Sequence, residues 1–317
     1  MIRKFLVKNK KAQIFAILAI FLIMLTFASF ELFSFLHKQK STQERVSSMD
    51  SFLSSLEKNL ERQVYISGFR ILFLAEREIS NNGIFIQNIT AFFEEAYFNG
   101  TVNGSQIPDK LLDSANYTSL IKSINDKANK INVYVLIDNS SIFVSQSDPW
   151  TVNFTLVSDF VMSDMGDLAS WRKKQFISAY IPVTSFEDPF FVIAARGNID
   201  RKIKKTIYDG NYNIPNLQDH VLQGYYSNNS HAPNFLMRLA GNLSSDPNGI
   251  ESFVDISYFD SNGLNPDFTK TTIDYIYFNP LRDPVYCSVN GIPIWFKIDN
   301  EDGHYSKYNI TSTYACS

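Results

Sequence analysis

The chain has 317 residues, of which 45% are hydrophobic and 15% aromatic, with 27 Phe and 16 Tyr. This composition excludes a disordered chain and suits a sizeable core in one large domain or two small ones. The formal net charge is −3, but Arg3, Lys4, Lys8, Lys10 and Lys11 crowd the N-terminus and leave −8 for the rest. An acidic body does not suit phosphate-backbone binding, which needs clustered Lys and Arg, and its one dense basic stretch, "RKIKK" from Arg201 to Lys205, reads as a solvated face, so no nucleic-acid partner is expected.

Residues 1–12 read as a basic leader. From Ile14 to Phe30 only Thr26 and Ser29 interrupt an apolar run, and extension to Leu36 adds Glu31 and Ser34. Twenty-three helical residues span ~35 Å, enough for a hydrocarbon core of ~30 Å. Residues 13–36 are therefore expected to form one transmembrane helix in contact with membrane lipid. The basic leader keeps the N-terminus cytoplasmic, which places the body outside the cell. The run exceeds the about 7–15 residues of a secretory h-region, and no small-residue cleavage site follows it, so a retained signal-anchor is expected.

The stretch "KKAQI", Lys10 to Ile14, resembles the processing site of archaeal type IV pilin-like precursors, which carry class III signal peptides. The resemblance covers about twenty residues. It implies that a prepilin-type peptidase recognises Lys10, Lys11, Ala12 and Gln13 and cuts between Ala12 and Gln13. Such a cut removes the charged leader and leaves the apolar helix, free to self-associate in a surface filament. The fifth residue after the cut is Ile17, where bacterial pilins carry Glu; archaeal members often lack that Glu. An uncut anchor is the alternative reading.

Nine Asn-x-Ser/Thr sequons follow the apolar run, at Asn88, Asn99, Asn103, Asn116, Asn139, Asn153, Asn228, Asn242 and Asn309. They point to a glycosylated exterior body. Unused sequons in an Asn-rich and Ser-rich chain are the competing reading.

Ser41 to Glu44 has the pattern of a capping box. Apolar residues then recur at Val46, Met49, Leu53, Leu56, Leu60 and Val64, which predicts a long amphipathic helix ending near Ser80–Gly83, either separate from the membrane helix or continuous with it. A second helix is predicted over Ile86–Phe98 and a third from Pro108 to about Lys130. The period then shortens to two. "INVYVLIDN", "SIFVSQS", "WTVNFTLVSDFVM", "QFISAYIPV" and "FFVIAARG" each read as strands, with a hairpin at Asp138–Ser141. Short links between successive strands favour an antiparallel meander.

Beyond Gly197 the chain is richer in Asn, Pro, Gly and Tyr. "APNFLMRLAGNL" reads as a short helix, "TTIDYIYF" as a strand, and "YCSVNGIPIWF" as a hairpin turning at Asn290–Gly291. In an oxidising exterior Cys287 and Cys316 are expected to pair, closing a loop of about 30 residues worth roughly 3 kcal/mol; two free thiols are the alternative.

No nucleophile elbow, metalloprotease helix, phosphate loop or dinucleotide fingerprint occurs, so no catalytic residue, metal site or cofactor is assigned. Asp219–His220 reads as a surface pair. His231 and His304 lie in loop-like polar contexts, and the acidic turn "DNEDGH", Asp299 to His304, reads as solvated; calcium binding is the competing reading, but the turn lacks the EF-hand spacing.

The expected fold class is α+β. It comprises a leader (1–12), a transmembrane helix (13–36), a helical stalk with further helices (37–130), an antiparallel β-meander (131–198) and a mixed C-terminal lobe (199–317). The expected function is not enzymatic: a membrane-anchored, extracellular, pilin-like structural or adhesive subunit with a large glycosylated head. An uncut ectodomain that binds a ligand or partner is the alternative.

Overall fold

The computed structural model describes residues 10–107, 111–197, 199 and 201–310. The chain is α+β, with a long N-terminal apolar helix and antiparallel sheets. Helix α1 runs without a break from Lys10 to Asn82. Its span from Ile14 to Leu36 exposes apolar side chains on every face, with Phe15, Phe21, Phe27 and Phe33 all more than 60% exposed. It is long and apolar enough to cross a membrane. The second half of α1 is one-sided. Met49, Leu56, Leu60, Val64, Ile71, Leu72, Ala75 and Ile79 recur at helical spacing, and all are buried. The helix ends at Gly83, whose φ of +66° favours glycine and whose N–H caps Ile79 O at 2.8 Å.

The capping box at Ser41 does not start a helix. Ser41 lies mid-helix because the apolar periodicity on either side is continuous. The neighbouring Thr42 bonds back to Lys38 O at 3.0 Å, which satisfies its hydroxyl without breaking the helix.

Helix α2 (Ile89–Glu94), capped by Asn88, starts three residues later than predicted and runs into a π-turn (Glu95–Asn99) that closes on Gly100. A two-residue ribbon, β1 (Thr101–Val102) and β2 (Ser105–Gln106), follows. Helix α3 (Tyr117–Asn129) starts later than predicted. Asn116 supplies its cap by accepting from Ser119 N at 2.9 Å, while Pro108 falls outside the described residues.

The sheet has three long strands, β3 (Val133–Asp148), β4 (Thr151–Asp164) and β5 (Ser170–Pro182), in the order β3-β4-β5. It is the antiparallel meander the alternation implied, but with three strands instead of five. The first two predicted strands are one, and the expected hairpin at Asp138–Ser141 is a bulge. Asn139 takes φ +48° there and reaches across to Asp159 at 2.9 Å, which absorbs the extra residue while pairing continues. The fifth predicted strand is helix α4 (Pro189–Ala194). Asp188 caps it, accepting from Phe190 N at 3.0 Å, and Pro189 opens its first turn; together these outweigh the β-rich local composition.

One face of the sheet carries Val135, Phe154, Leu156, Phe160, Ile177 and Ile181 into a core shared with α1, α2 and α3. The contact with α1 is closest at Gly68, where an added Cβ would stand 2.5 Å from Ile181 Cδ1 and 3.0 Å from Phe154 Cγ. The other face is open and exposes Tyr134, Phe143, Phe176 and Tyr180. Glu76, on α1, accepts from the Glu187 N–H and ties the helix to the start of the C-terminal lobe; burial pushes its carboxyl up to about 8.

The lobe is built from short pieces: α5 (Ile214–Gln223), β6 (Ser227–Asn228), α6 (Phe235–Leu239), β7 (Ile250–Glu251), α7 (Ile256–Ser261), α8 (Asp274–Tyr277), β8 (Tyr286–Cys287), β9 (Ile298–Asp299) and α9 (His304–Lys307). "TTIDYIYF" is therefore mostly the single turn α8, not a strand. The predicted tight hairpin is instead the wider pair β8–β9. Within Asn290–Gly291 only the glycine takes positive φ, so the pair lacks the geometry of a two-residue hairpin turn.

Arg238 joins these pieces. It is fully buried and donates to Asp188 Oδ2 at 2.5 Å and Asp274 Oδ2 at 2.9 Å, as well as to Ile250 O. Its guanidinium carbon lies 4.9 Å from the centre of the Phe190 ring. One side chain thus fastens α4, α6, β7 and α8. Removing it strands two buried carboxylates, so Arg238→Ala is expected to cost about 3–5 kcal/mol in urea unfolding of the full chain in detergent. A change below about 1 kcal/mol would show that the network contributes little.

Candidate functional site

The described residues form a cleft of ≈ 650 Å³ in the C-terminal lobe, beside the ribbon β6–β7. Tyr212, Asn229, His231, Asp302 and Lys307 are among its lining residues. Glu251 stands behind it. The ribbon pairs Ser227 with Glu251 and turns the Glu251 side chain into the lobe, where it is fully buried. Its carboxylate accepts from Asn229 Nδ2 at 2.5 Å, from Tyr308 Oη at 2.8 Å and from Lys307 Nζ. Lys307 Nζ also donates to Asn228 O at 2.7 Å.

His304 lies between two acids, with Nδ1 3.1 Å from Asp299 Oδ1 and Nε2 3.3 Å from Glu251 Oε2. Burial alone would lower its pKa, but the two carboxylates outweigh burial and raise it to about 10. Burial likewise raises the Glu251 carboxyl, yet Lys307 and His304 prevail and hold it well below the usual carboxylate range. His304 is thus a fixed imidazolium and does not serve as a base near neutral pH.

His220 is the opposite case. It is fully buried among Tyr212, Tyr225, Phe253 and Tyr308. Burial lowers its pKa to about 3. Its Nδ1 meets Thr206 Oγ1 at 3.0 Å, while Nε2 has no hydrogen-bond partner among the described residues. The surface pair expected at Asp219–His220 does not form. The helical turn points His220 into the core, and Asp219 accepts from Tyr208 Oη at 2.6 Å instead. The acidic turn is also only partly solvated: Asp299 and His304 are buried and Asp302 half-buried.

The sequence-predicted site residues are dispersed. Lys10, Lys11, Ala12 and Gln13 form the first turn of α1, far along the chain from the cleft. All nine sequon asparagines lie at least partly at the surface; Asn116 and Asn153 are half-buried and the other seven exposed. Asn88 and Asn116 cap helices through Oδ1, which leaves Nδ2, the glycan-bearing atom, outside the cap bond. Asn228 is the sequon beside the cleft. Cys287 is buried on β8 with its sulfur 2.8 Å from Tyr305 Oη, while Cys316 falls outside the described residues. No group of three or more His, Cys, Asp or Glu that could hold a metal ion occurs among the described residues.

Sequence reasoning missed Asn229, Glu251 and Lys307, and Arg238 with its two acids. The one available signal was a single charge inside an apolar stretch, as in "FLMRL" and "GIESFV". No family model matches the chain, and no curated protein or solved structure is found to be similar to it.

The two histidines have opposite linkage to pH. His304 gains protons on folding, so its contribution to stability is complete below about pH 6.5 and is lost as pH rises through about 10. His220 loses affinity for protons on folding, so its contribution is complete above about pH 6.5 and falls as pH drops toward about 3. Imidazole nitrogen shifts in the NMR spectrum should show His220 neutral and His304 doubly protonated at neutral pH. Ordinary titration of both near pH 6.5 would contradict this electrostatic picture.

Proposed function

We propose that the chain is a membrane-anchored surface subunit of the pilin-like kind, with its N-terminus cytoplasmic and its body outside the cell. The observation that carries this reading is the unbroken helix α1, whose first part is apolar on every face and whose second part is one stripe of a folded core. A single rod with those two surfaces suits removal from lipid into a bundle of its own copies, because lipid and neighbouring apolar helices offer similar surroundings to residues 13–36. The body then rides outward on a fixed stalk. The "KKAQ" stretch at the start of α1 supplies the processing step, a prepilin-type cut before Gln13, and surface sequons suit a glycosylated head.

The second reading is a static anchor that presents the C-terminal lobe to a ligand. The cleft beside β6–β7 favours it, since amide, hydroxyl, carboxylate and ammonium groups converge there. In both readings the chain performs no catalysis on an external substrate.

Intact mass and peptide mapping of the native protein extracted from membranes separate the two. The pilin-like reading expects a chain that begins at Gln13. A chain that retains Met1 and the five basic residues of the leader would remove processing from the account and favour the static anchor.

A further inference from the structure

We propose that Lys307 and Asn229 form an intramolecular amide cross-link, with Glu251 as the proton carrier. The inference goes beyond the surface-subunit reading and is independent of N-terminal processing. It rests on three residues that the fold brings together from distant parts of the chain. One carboxylate bridges the amine and the carboxamide: Glu251 Oε1 accepts from Lys307 Nζ, and Oε2 accepts from Asn229 Nδ2 at 2.5 Å. Lys307 Nζ is also held 2.7 Å from the carbonyl oxygen of Asn228, the residue next to Asn229.

The carboxamide is held at both of its polar atoms, Nδ2 by Glu251 and Oδ1 by His231. Its Oδ1 accepts from the His231 backbone N–H at 3.0 Å and lies 3.2 Å from His231 Nδ1. Donors at that oxygen stabilise the charge that develops there when an amine adds to the carbonyl carbon. Glu251 is fully buried and Asn229 nearly so, which strengthens these interactions. Lys307 and Asn229 both line the cleft, so the leaving group has a path to solvent.

The step balances. The Lys307 ammonium passes one proton to Glu251 Oε1, and the freed amine attacks Asn229 Cγ. A C–N bond forms and the carbonyl electron pair moves to Oδ1. A second proton leaves Nζ through the same carboxyl, which protonates Nδ2. The carbonyl re-forms, the Cγ–Nδ2 bond breaks, and nitrogen departs as ammonium. An ammonium and a primary amide become a secondary amide and an ammonium, and Glu251 ends as the carboxylate it began as. No oxidant or external reactant is consumed. Lys307 and His304 beside Glu251 weaken it as a base, so the reaction is a slow, single-turnover maturation.

The link would join the last helix to the β6–β7 ribbon across 78 residues of sequence, resisting both unfolding and pulling on the head. Peptide mapping tests it. The full chain is produced in a host that does not glycosylate, purified in detergent, denatured, reduced and digested with trypsin. The expected product is the peptide Thr206–Arg238 joined to Ile298–Ser317, uncut after Lys307 and lighter than the two together by one ammonia. The joined species should vanish in Lys307→Arg, which keeps the cation beside Glu251. In Glu251→Gln, if circular dichroism shows it folded, the joined species should fall at least tenfold. Recovery of unmodified Thr206–Arg238 and Ile298–Lys307 from the wild-type chain overturns the proposal. A joined species that survives Lys307→Arg overturns the assignment of the amine.

Discussion

Everything in this molecule hangs on the continuity of α1. A helix of this length is marginal as an isolated object in water, and its two halves are kept helical for different reasons. From Met49 onward, burial of one stripe against the sheet holds it. Over Ile14–Leu36 the apolar side chains are exposed on every face, and in an apolar surround, which satisfies no backbone groups, a helix is the available conformation. The rod is unbroken at Ser41, so of the two arrangements the sequence left open it is the continuous one that joins the apolar half to the sheet. Gly68 makes that junction tight, since it lets the helix backbone approach Phe154 and Ile181 more closely than any side chain would permit.

The C-terminal lobe is held by different means. Its elements are too short to be stable by their own hydrogen bonds, and buried charge fixes their arrangement. Arg238 with Asp188 and Asp274 is one centre, and Glu251 with Lys307 and His304 is the other. Such clusters contribute little net stability compared with apolar packing, but each admits few alternative geometries. The aromatic pairs Phe253–Phe296, at 4.9 Å, and Tyr212–Tyr308, also at 4.9 Å, pack in the same part of the lobe. A lobe organised this way holds a reactive amine and a carboxamide in fixed register, which a loosely packed apolar core would not.

The sequence was readable where one periodicity governed a long segment. The apolar run, the stripe from Met49 to Val64 and the alternation through β4 each follow from local pattern and were placed correctly. Short elements failed for a common reason. "FFVIAARG" and "TTIDYIYF" have strand-like composition, but Asp188 and Pro189 start a helix in the first, and the partners of Asp274 hold a helical turn in the second. The buried network was not legible at all. Glu251 and Lys307 are 56 residues apart and meet only through tertiary structure, so no spacing rule could pair them. For the same reason His220 and His304 read as surface residues, although both are buried.

A pilin-like subunit requires residues 13–36 to leave the bilayer and pack against other copies of the same segment. Site-specific photo-cross-linking from Phe21, which is 61% exposed in the single chain, tests it most directly when done on filaments sheared from native cells. Adducts between the apolar segments of two copies, recovered in the sheared fraction, are the expected result. Adducts to lipid alone, with the protein confined to the membrane fraction, would contradict it.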